Sequence, residues 1–121
     1  MCVLFLGSRQ DVPDLVNAAD LCLHASVMPE PFGLVLLEAM ALGRTMIAAR
    51  IGGPAEILTP DSGVLFDPTL PAELTAALSR LVADPAERAR IGQAALRRVE
   101  EFSLERNVAG NVRVYRELLS E

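Results

Sequence analysis

The sequence DLCLHASVMPEPFGLVLLEAMALGRTMIAA, residues 20–49, contains two short apolar runs separated by a proline-containing loop and a helix-forming run. Residues 20–24 and 45–49 have the continuous apolar character of strands that are covered on both faces of a parallel sheet. Between them, residues 34–42 are almost all strong helix formers, and Gly43 supplies a C-terminal stop. This order predicts a parallel β-α-β unit.

The same alternation continues on both sides of this unit. Residues 2–6 and 63–66 are short apolar runs that predict two more strands, and apolar residues at helical spacing predict a helix over residues 11–19. The sequence therefore predicts the α/β class, with a partial Rossmann-like, doubly wound parallel sheet of about four strands.

The C-terminal part of the chain has a different pattern. From residue 70 onward the apolar residues recur only at helical spacing, which predicts three helices. We therefore expect an α/β portion over residues 1–69 and a helical portion over residues 70–121.

The length and charge of the chain limit the size of the domain and the class of partner. The chain has 121 residues, 51% of them hydrophobic, which suits one domain with a real core. Its 11 basic residues are all arginine, and a formal net charge of -5 argues against nucleic acid as a partner.

The cysteines and the apolar runs predict the compartment. Cys2 and Cys22 each lie within an apolar run, which predicts two buried free thiols in a reducing compartment. The N-terminus lacks a signal-peptide pattern, and no apolar run is long enough to span a membrane. We expect a cytoplasmic protein without a transmembrane segment, with peripheral attachment to a membrane an option for a longer form.

Two glutamates flank the start of the predicted central helix. Glu30 lies on the loop that enters this helix, and Glu38 lies within it, about 6 Å along the axis from Leu34. The first N–H groups of the helix, near residues 33–35, lack helical partners and suit phosphate or sugar oxygens. Gly33 allows a ligand to approach the backbone closely.

Glu38 is surrounded by apolar residues in the sequence, so we expect it to be buried and to need a partner. A diol such as ribose could donate two hydrogen bonds to its carboxylate. The simpler interpretation is that Glu30 and Glu38 are ordinary surface residues, and their spacing alone favours it.

The full run PEPFGLVLLEAMALG, residues 29–43, changes this balance because it resembles the E-x7-E signature of family-4 retaining glycosyltransferases of the GT-B fold. Other landmarks of that family follow in order and cover essentially the whole chain: Leu6-Gly7, Ala19-Asp20, Gly52-Gly53-Pro54-Ala55-Glu56, Ser62-Gly63, Ala83-Asp84-Pro85 and Phe102-Ser103. The sequence departs from the usual pattern of this family at Ala25-Ser26 and at Leu104. Both positions lie outside the expected contacts with the donor.

The resemblance implies a binding site for a nucleotide-diphosphate sugar, linked to UDP or GDP. Glu30 would be the catalytic residue and would hold the hydroxyls of the donor sugar. The segment containing Pro31, Phe32, Gly33 and Leu34 would contact the sugar and the diphosphate. The resemblance implies transfer with retention at the anomeric carbon, to an unknown acceptor, without a cofactor or a bound metal.

The resemblance also places the nucleoside. Val35 would lie near the base, and Glu38 would bind the ribose. Gly52 and Gly53 are a possible phosphate loop, although a plain turn explains them equally well. His24, the only histidine, is expected to be structural or partly buried.

The resemblance further implies that the chain is the C-terminal part of the donor-binding domain. Relatives carry an acceptor domain, and an arginine and a lysine that neutralise the donor diphosphate, before the point at which this chain begins. We therefore expect very weak or no turnover by these 121 residues alone.

The family's strand order also has consequences for this chain. In the order 3-2-1-4-5-6, residues 2–6 would lack their neighbours, and we expect this segment to pair irregularly, to be swapped or to be poorly ordered. The last helix is expected to expose Val108, Val112 or Tyr115.

Two alternatives stay open from the sequence. One is a non-catalytic nucleotide-binding or interaction module. The other is a nucleotide-sugar epimerase or a phosphorylase-like enzyme, which the run around Glu30 and Glu38 disfavours.

Overall fold

The computed structural model describes residues 2–120. Three strands alternate with helices in the first half of the chain, and the second half is helical. The elements in chain order are α1 (Val12–Ala18), β1 (Cys22–His24), α2 (Leu34–Ala41), β2 (Met46–Ala49), α3 (Pro54–Ile57), β3 (Val64–Phe66), α4 (Pro71–Ala83), α5 (Pro85–Val99), a 3₁₀ turn (Glu100–Phe102) and α6 (Leu104–Leu119).

The strands form one parallel sheet in the order β1-β2-β3. Cys22 pairs with Met46, and Ile47 pairs with Val64, so the central strand β2 is paired along both edges. All four residues of β2 are buried. The sequence prediction of a parallel α/β sheet is confirmed.

Alternate residues of β2 point to opposite faces of the sheet, and each face is covered by helices. On one face Met46 and Ala48 pack with Leu36 and Met40 of α2, Ile57 of α3 and Ala95 of α5. On the other face Ile47 and Ala49 pack with Phe66 of β3, with Ala77 and Leu81 of α4, and with Ile91 of α5. The sheet is therefore doubly wound, as the apolar character of its strands predicts.

The prediction of a strand over residues 2–6 is wrong. This segment forms no strand, and its side chains are exposed, including Phe5 at 97%. A short apolar run becomes a strand only when another strand pairs with it, and none does so within residues 2–120. The expectation that the segment would not pair regularly beside β1 is confirmed. Cys2 is consequently exposed, which corrects the prediction of a buried thiol.

The three C-terminal helices form as predicted, with side-chain caps at two of their starts. The Asp84 carboxylate accepts a hydrogen bond from the N–H of Glu87 at the start of α5, and the Ser103 hydroxyl accepts one from the N–H of Arg106 at the start of α6. No residue of α6 is buried. Val108, Val112 and Tyr115 are 51%, 39% and 67% exposed, which confirms the expectation for this helix.

Candidate functional site

The candidate site lies at the carboxyl ends of β1 and β2, the edge at which ligands bind in open α/β sheets. The loop after β1 and the turn after β2 meet there through their backbones. Glu30 forms a parallel bridge with Gly52, and the N–H of Gly53 donates to the carbonyl oxygen of Glu30 at 2.8 Å. The turn after β2 therefore fixes the backbone of the loop that carries Glu30.

Both glycines of this turn are required by the close approach of the loop. A Cβ on Gly52 would lie 2.3 Å from the Glu30 carbonyl oxygen, and a Cβ on Gly53 would lie 1.9 Å from that of Phe32. Neither distance is possible for a real side chain. The structure thus gives these glycines a role in packing the loop, while their contact with phosphate stays a prediction.

The N-terminus of α2 directly follows this loop. Gly33 is its N-cap and has a φ of 98°, a left-handed conformation that favours glycine. Within residues 2–120, the N–H groups of Gly33, Leu34 and Val35 donate to no protein acceptor. Gly33 is buried, whereas Leu34 and Val35 are exposed, so this positively polarised end of the helix is open to solvent at Leu34 and Val35.

Phe32 is held from the side by the C-terminal part of the chain. Its ring contacts the ring of Phe102 edge to face, with 6.1 Å between the centroids. The guanidinium of Arg98 lies 4.9 Å from the centroid of Phe102, and it donates to the carbonyl oxygens of Glu56 and Ile57 at 3.1 Å each. Arg98 therefore connects α5, the end of α3 and the ring that supports the loop.

Glu30 is half-buried, and its carboxylate faces a histidine. Its Oε2 atom lies 3.7 Å from Nε2 of His24, the last residue of β1. His24 is partly buried, as expected from the sequence. Its Nδ1 atom is buried and has no hydrogen-bond partner within residues 2–120.

Glu38 lies on the exposed face of α2, and the prediction that it is buried is wrong. The buried face of the helix contains Leu36, Ala39 and Met40. Leu34 and Glu38 are four residues apart and share the opposite face, one turn from each other. The Glu38 carboxylate forms no hydrogen bond or ion pair with residues 2–120, so it is open to a ligand and to water alike.

Two concave surfaces border α2. Val35, Cys22, His24 and other residues of α1, β1 and β2 line an apolar pocket of about 280 Å³. Burial raises the pKa of the Cys22 thiol in this pocket, although the charge of Arg44 partly opposes the effect. On the other side, Phe32 and Leu34 line a groove of about 430 Å³.

A metal-binding cluster and a membrane-spanning helix are both absent from residues 2–120. Residues 2–120 contain no group of three or more His, Cys, Asp or Glu side chains placed to hold a metal ion. No helix in this part of the chain combines the length and apolar character needed to cross a membrane.

Comparison with known protein families shows the family to which the chain belongs. The family described as glycosyl transferases group 1 matches residues 2–98. The chain belongs to this glycosyltransferase family. The match confirms the resemblance found in the sequence and favours a glycosyltransferase over an epimerase.

A curated relative and two solved structures support the assignment. The D-inositol 3-phosphate glycosyltransferase of Salinispora arenicola is 42% identical over 111 residues, which are 91% of this chain and 25% of the relative. The structure of Anabaena Alr3699/HepE in complex with UDP is 34% identical, with a TM-score of 0.82 over 97% of this chain and 32% of that one.

The second structure indicates which part of the family's proteins this chain represents. It is the C-terminal domain of LpcC, a glycosyl transferase group 1 family protein of Francisella tularensis. It is 29% identical, with a TM-score of 0.72 over 84% of this chain and 53% of that one. The chain spans about a quarter of the length of the Salinispora arenicola relative. Its fold is therefore that of a group 1 C-terminal domain, as predicted.

The residues that the sequence predicts for the donor site come from two neighbouring parts of the structure. Residues 30–35 form the end of the loop and the first turn of α2, Gly52 and Gly53 contact the backbone of this loop, and Glu38 lies one turn along α2. Sequence reasoning missed the contact of His24 with Glu30 and the role of Arg98. The position of His24 at a predicted strand end was the only available signal for the first, and the second had none.

Proposed function

We propose that this chain forms the donor-binding part of a retaining glycosyltransferase, and that its donor is a UDP-linked sugar. The observation that carries the proposal is the open N-terminus of α2, with its free N–H groups at Gly33, Leu34 and Val35 and a carboxylate on either side. The glycosyltransferase family match supports it.

The diphosphate is the part of the donor that suits the helix end. Three N–H groups without protein acceptors and the positive end of the helix dipole favour oxygens that carry negative charge. Two of these groups, the amides of Gly33 and Leu34, together with the amide of Phe32, would bind the diphosphate and the nearest sugar oxygens. The same groups would stabilise the leaving phosphate without a metal ion, since they are already oriented before reaction.

The two glutamates suit the two polyhydroxyl groups of the donor. Glu30, next to Pro31 on the loop, would be the catalytic residue that accepts hydrogen bonds from the hydroxyls of the transferred sugar. Glu38 is exposed on the same side of α2 as Leu34, so its carboxylate is free to accept both hydroxyls of ribose.

The nucleoside base would lie beside Val35, which lines the apolar pocket at the edge of β1. The flat faces of a base suit apolar walls. We favour uracil over guanine because Alr3699/HepE, at 34% identity, is described in complex with UDP and with UDP-glucose.

The rest of the reaction would depend on parts of a longer protein. The relatives are about four times as long as this chain, and we propose that an upstream domain binds the acceptor and supplies cationic groups for the diphosphate. On this proposal the 121 residues alone bind the donor weakly and turn it over very slowly or not at all. We place the protein in the cytoplasm, with peripheral membrane attachment open for the longer form.

Donor binding is tested by ligand-observed NMR with UDP and with UDP-glucose. We expect both to bind the wild-type chain, and Glu38→Gln to weaken both about 10-fold, since each contains ribose. The matched control is Glu117→Gln, an exposed glutamate on α6, which is expected to leave both affinities unchanged.

The outcomes separate the alternatives. Equal weakening by Glu38→Gln and Glu117→Gln would contradict the assignment of Glu38, and no binding of either ligand would contradict the proposal. Tight binding that persists without turnover after an upstream domain is restored would favour the non-catalytic module.

A further inference from the structure

We propose that His24 is a positioning residue for Glu30, which it holds by donating a hydrogen bond from its Nε2–H to the carboxylate. The inference rests on the proposed function, because it assigns the purpose of this contact to the binding of the donor sugar. It adds a residue outside the segment of residues 29–38.

Both partners are attached to rigid parts of the fold. His24 ends β1, where it pairs with Ala48 of the central strand, and its side chain is only 17% exposed. The backbone of Glu30 is fixed by Gly52 and Gly53, and its Cγ lies 3.5 Å from the position that a Cβ on Gly33 would occupy. The approach of the imidazole to the carboxylate is therefore set by the sheet and by the turn after β2.

The surroundings of the imidazole determine which nitrogen carries the proton. Nδ1 is buried without a partner in the described part of the chain, so a proton placed there would bury a donor that has no acceptor. The tautomer with its proton on Nε2 directs its donor towards the Glu30 carboxylate and leaves only an unpaired acceptor at Nδ1. We therefore assign the donor to the nitrogen that faces Glu30.

The distance fits a contact that tightens when the sugar binds. Nε2 and Oε2 are 3.7 Å apart, which is about 0.8 Å longer than an ordinary N–H···O hydrogen bond. Rotation of the Glu30 side chain closes this gap without any movement of the backbone. Contacts of this kind are often long without a ligand and shorten in the complex.

The contact would orient the carboxylate for the sugar. An ionised carboxylate has about four lone-pair sites, so a hydrogen bond from His24 leaves acceptors for at least two sugar hydroxyls. Without His24 the carboxylate would rotate more freely, and its ordering would reduce the affinity for the sugar. UDP alone has no sugar at this position, so His24 would affect its affinity only as one wall of the apolar pocket beside Val35.

The test compares the binding of UDP with that of UDP-glucose, UDP-galactose and UDP-N-acetylglucosamine to the 121-residue chain by ligand-observed NMR. The sugar that increases affinity most over UDP is then used with the variants. We expect His24→Ala to lose about 3- to 10-fold more affinity for that UDP-sugar than for UDP, as for one hydrogen bond.

His24→Gln is the conservative variant, since its amide can donate from a similar reach, and we expect it to restore most of the lost affinity. In a Glu30→Ala background, which has no acceptor for His24, His24→Ala is expected to have no further effect on the UDP-sugar. The amide spectrum of each variant verifies that it folds, and His24→Gln keeps the comparison usable if His24→Ala does not.

Three results would overturn the inference. They are an unchanged UDP-sugar affinity in His24→Ala, an equal loss for UDP and the UDP-sugar, and no rescue by His24→Gln. A wild-type chain that binds UDP but gains nothing from any of the three sugars would instead overturn the role of Glu30. A chain that binds no nucleotide at all would overturn the proposed function.

Discussion

Helices α2 and α6 are both rich in apolar residues, but the chain uses them in opposite ways. In α2, Leu36 and Met40 are completely buried against the sheet. In α6, no residue is buried, and its apolar side chains are exposed along its length. The comparison shows that the fold and the candidate site depend on α2, whereas α6 adds little to the core of the described chain.

The difference extends to the segments around each helix. The loop before α2 is fixed by the glycine turn after β2 and by Phe102 of the 3₁₀ turn. Helix α6 begins after that 3₁₀ turn and contacts it. The same kind of substitution should therefore have very different effects in the two regions.

The largest difference is expected for core truncation. Leu36→Ala removes a completely buried side chain from α2 and should lower the free energy of unfolding by about 3 kcal/mol, since it removes buried area and leaves a cavity. Val112→Ala in α6 should change it by less than about 0.5 kcal/mol. Urea unfolding followed by circular dichroism measures both, and equal losses would show that α6 belongs to the same packed core.

The next difference is expected for glycine. Gly53→Ala places a methyl group against the carbonyl oxygen of Phe32, so the loop must move, and we expect a loss of about 2 kcal/mol. Gly110→Ala in α6 meets no atom within 4 Å and should be neutral or stabilise the helix by up to about 1 kcal/mol. Thermal melts compare the two variants, and a fully stable Gly53→Ala would argue against the fixed loop.

A smaller difference is expected for arginine. Arg98→Leu removes the donors to the carbonyl oxygens of Glu56 and Ile57 and the support of Phe102, at a cost of about 1–2 kcal/mol. Arg113→Leu in α6 removes only an exposed pair with Glu117, worth less than about 0.5 kcal/mol. The same urea titration measures both, and indistinguishable midpoints would mean that Arg98 does not brace the loop.

The smallest effect is a difference in reactivity between the two cysteines. Cys2 is exposed, whereas Cys22 is half-buried in β1 and burial raises the pKa of its thiol. Since the thiolate is the reactive form, iodoacetamide at mildly alkaline pH should modify Cys2 well before Cys22. Mass spectrometry of peptides follows both rates, and a protected Cys2 would indicate that residues 2–6 are covered.

The sequence predicted local features well because their causes are local. The three helices predicted from residue 70 onward were found, and their starts at Pro71 and Pro85 and N-caps at Asp84 and Ser103 depend on neighbouring residues. The helix before β1 was also within one residue of its predicted ends.

The errors concern contacts between distant parts of the chain. Whether residues 2–6 form a strand depends on a partner strand, which their own sequence does not supply. Glu38 was expected to be buried because its neighbours in sequence are apolar, but a helix places adjacent residues on different faces. The contact of Arg98 with Ile57 spans 41 residues, so no local pattern could predict it.

The most direct test of the account is a titration of the ¹⁵N-labelled chain with UDP, followed through its backbone amide signals. The account predicts saturable shifts centred on Gly33, Leu34 and Val35, whose N–H groups are free in the described structure, and unchanged signals at Gly110 and Val112 in α6. Saturable shifts centred on α6, or none at the N-terminus of α2, would contradict it.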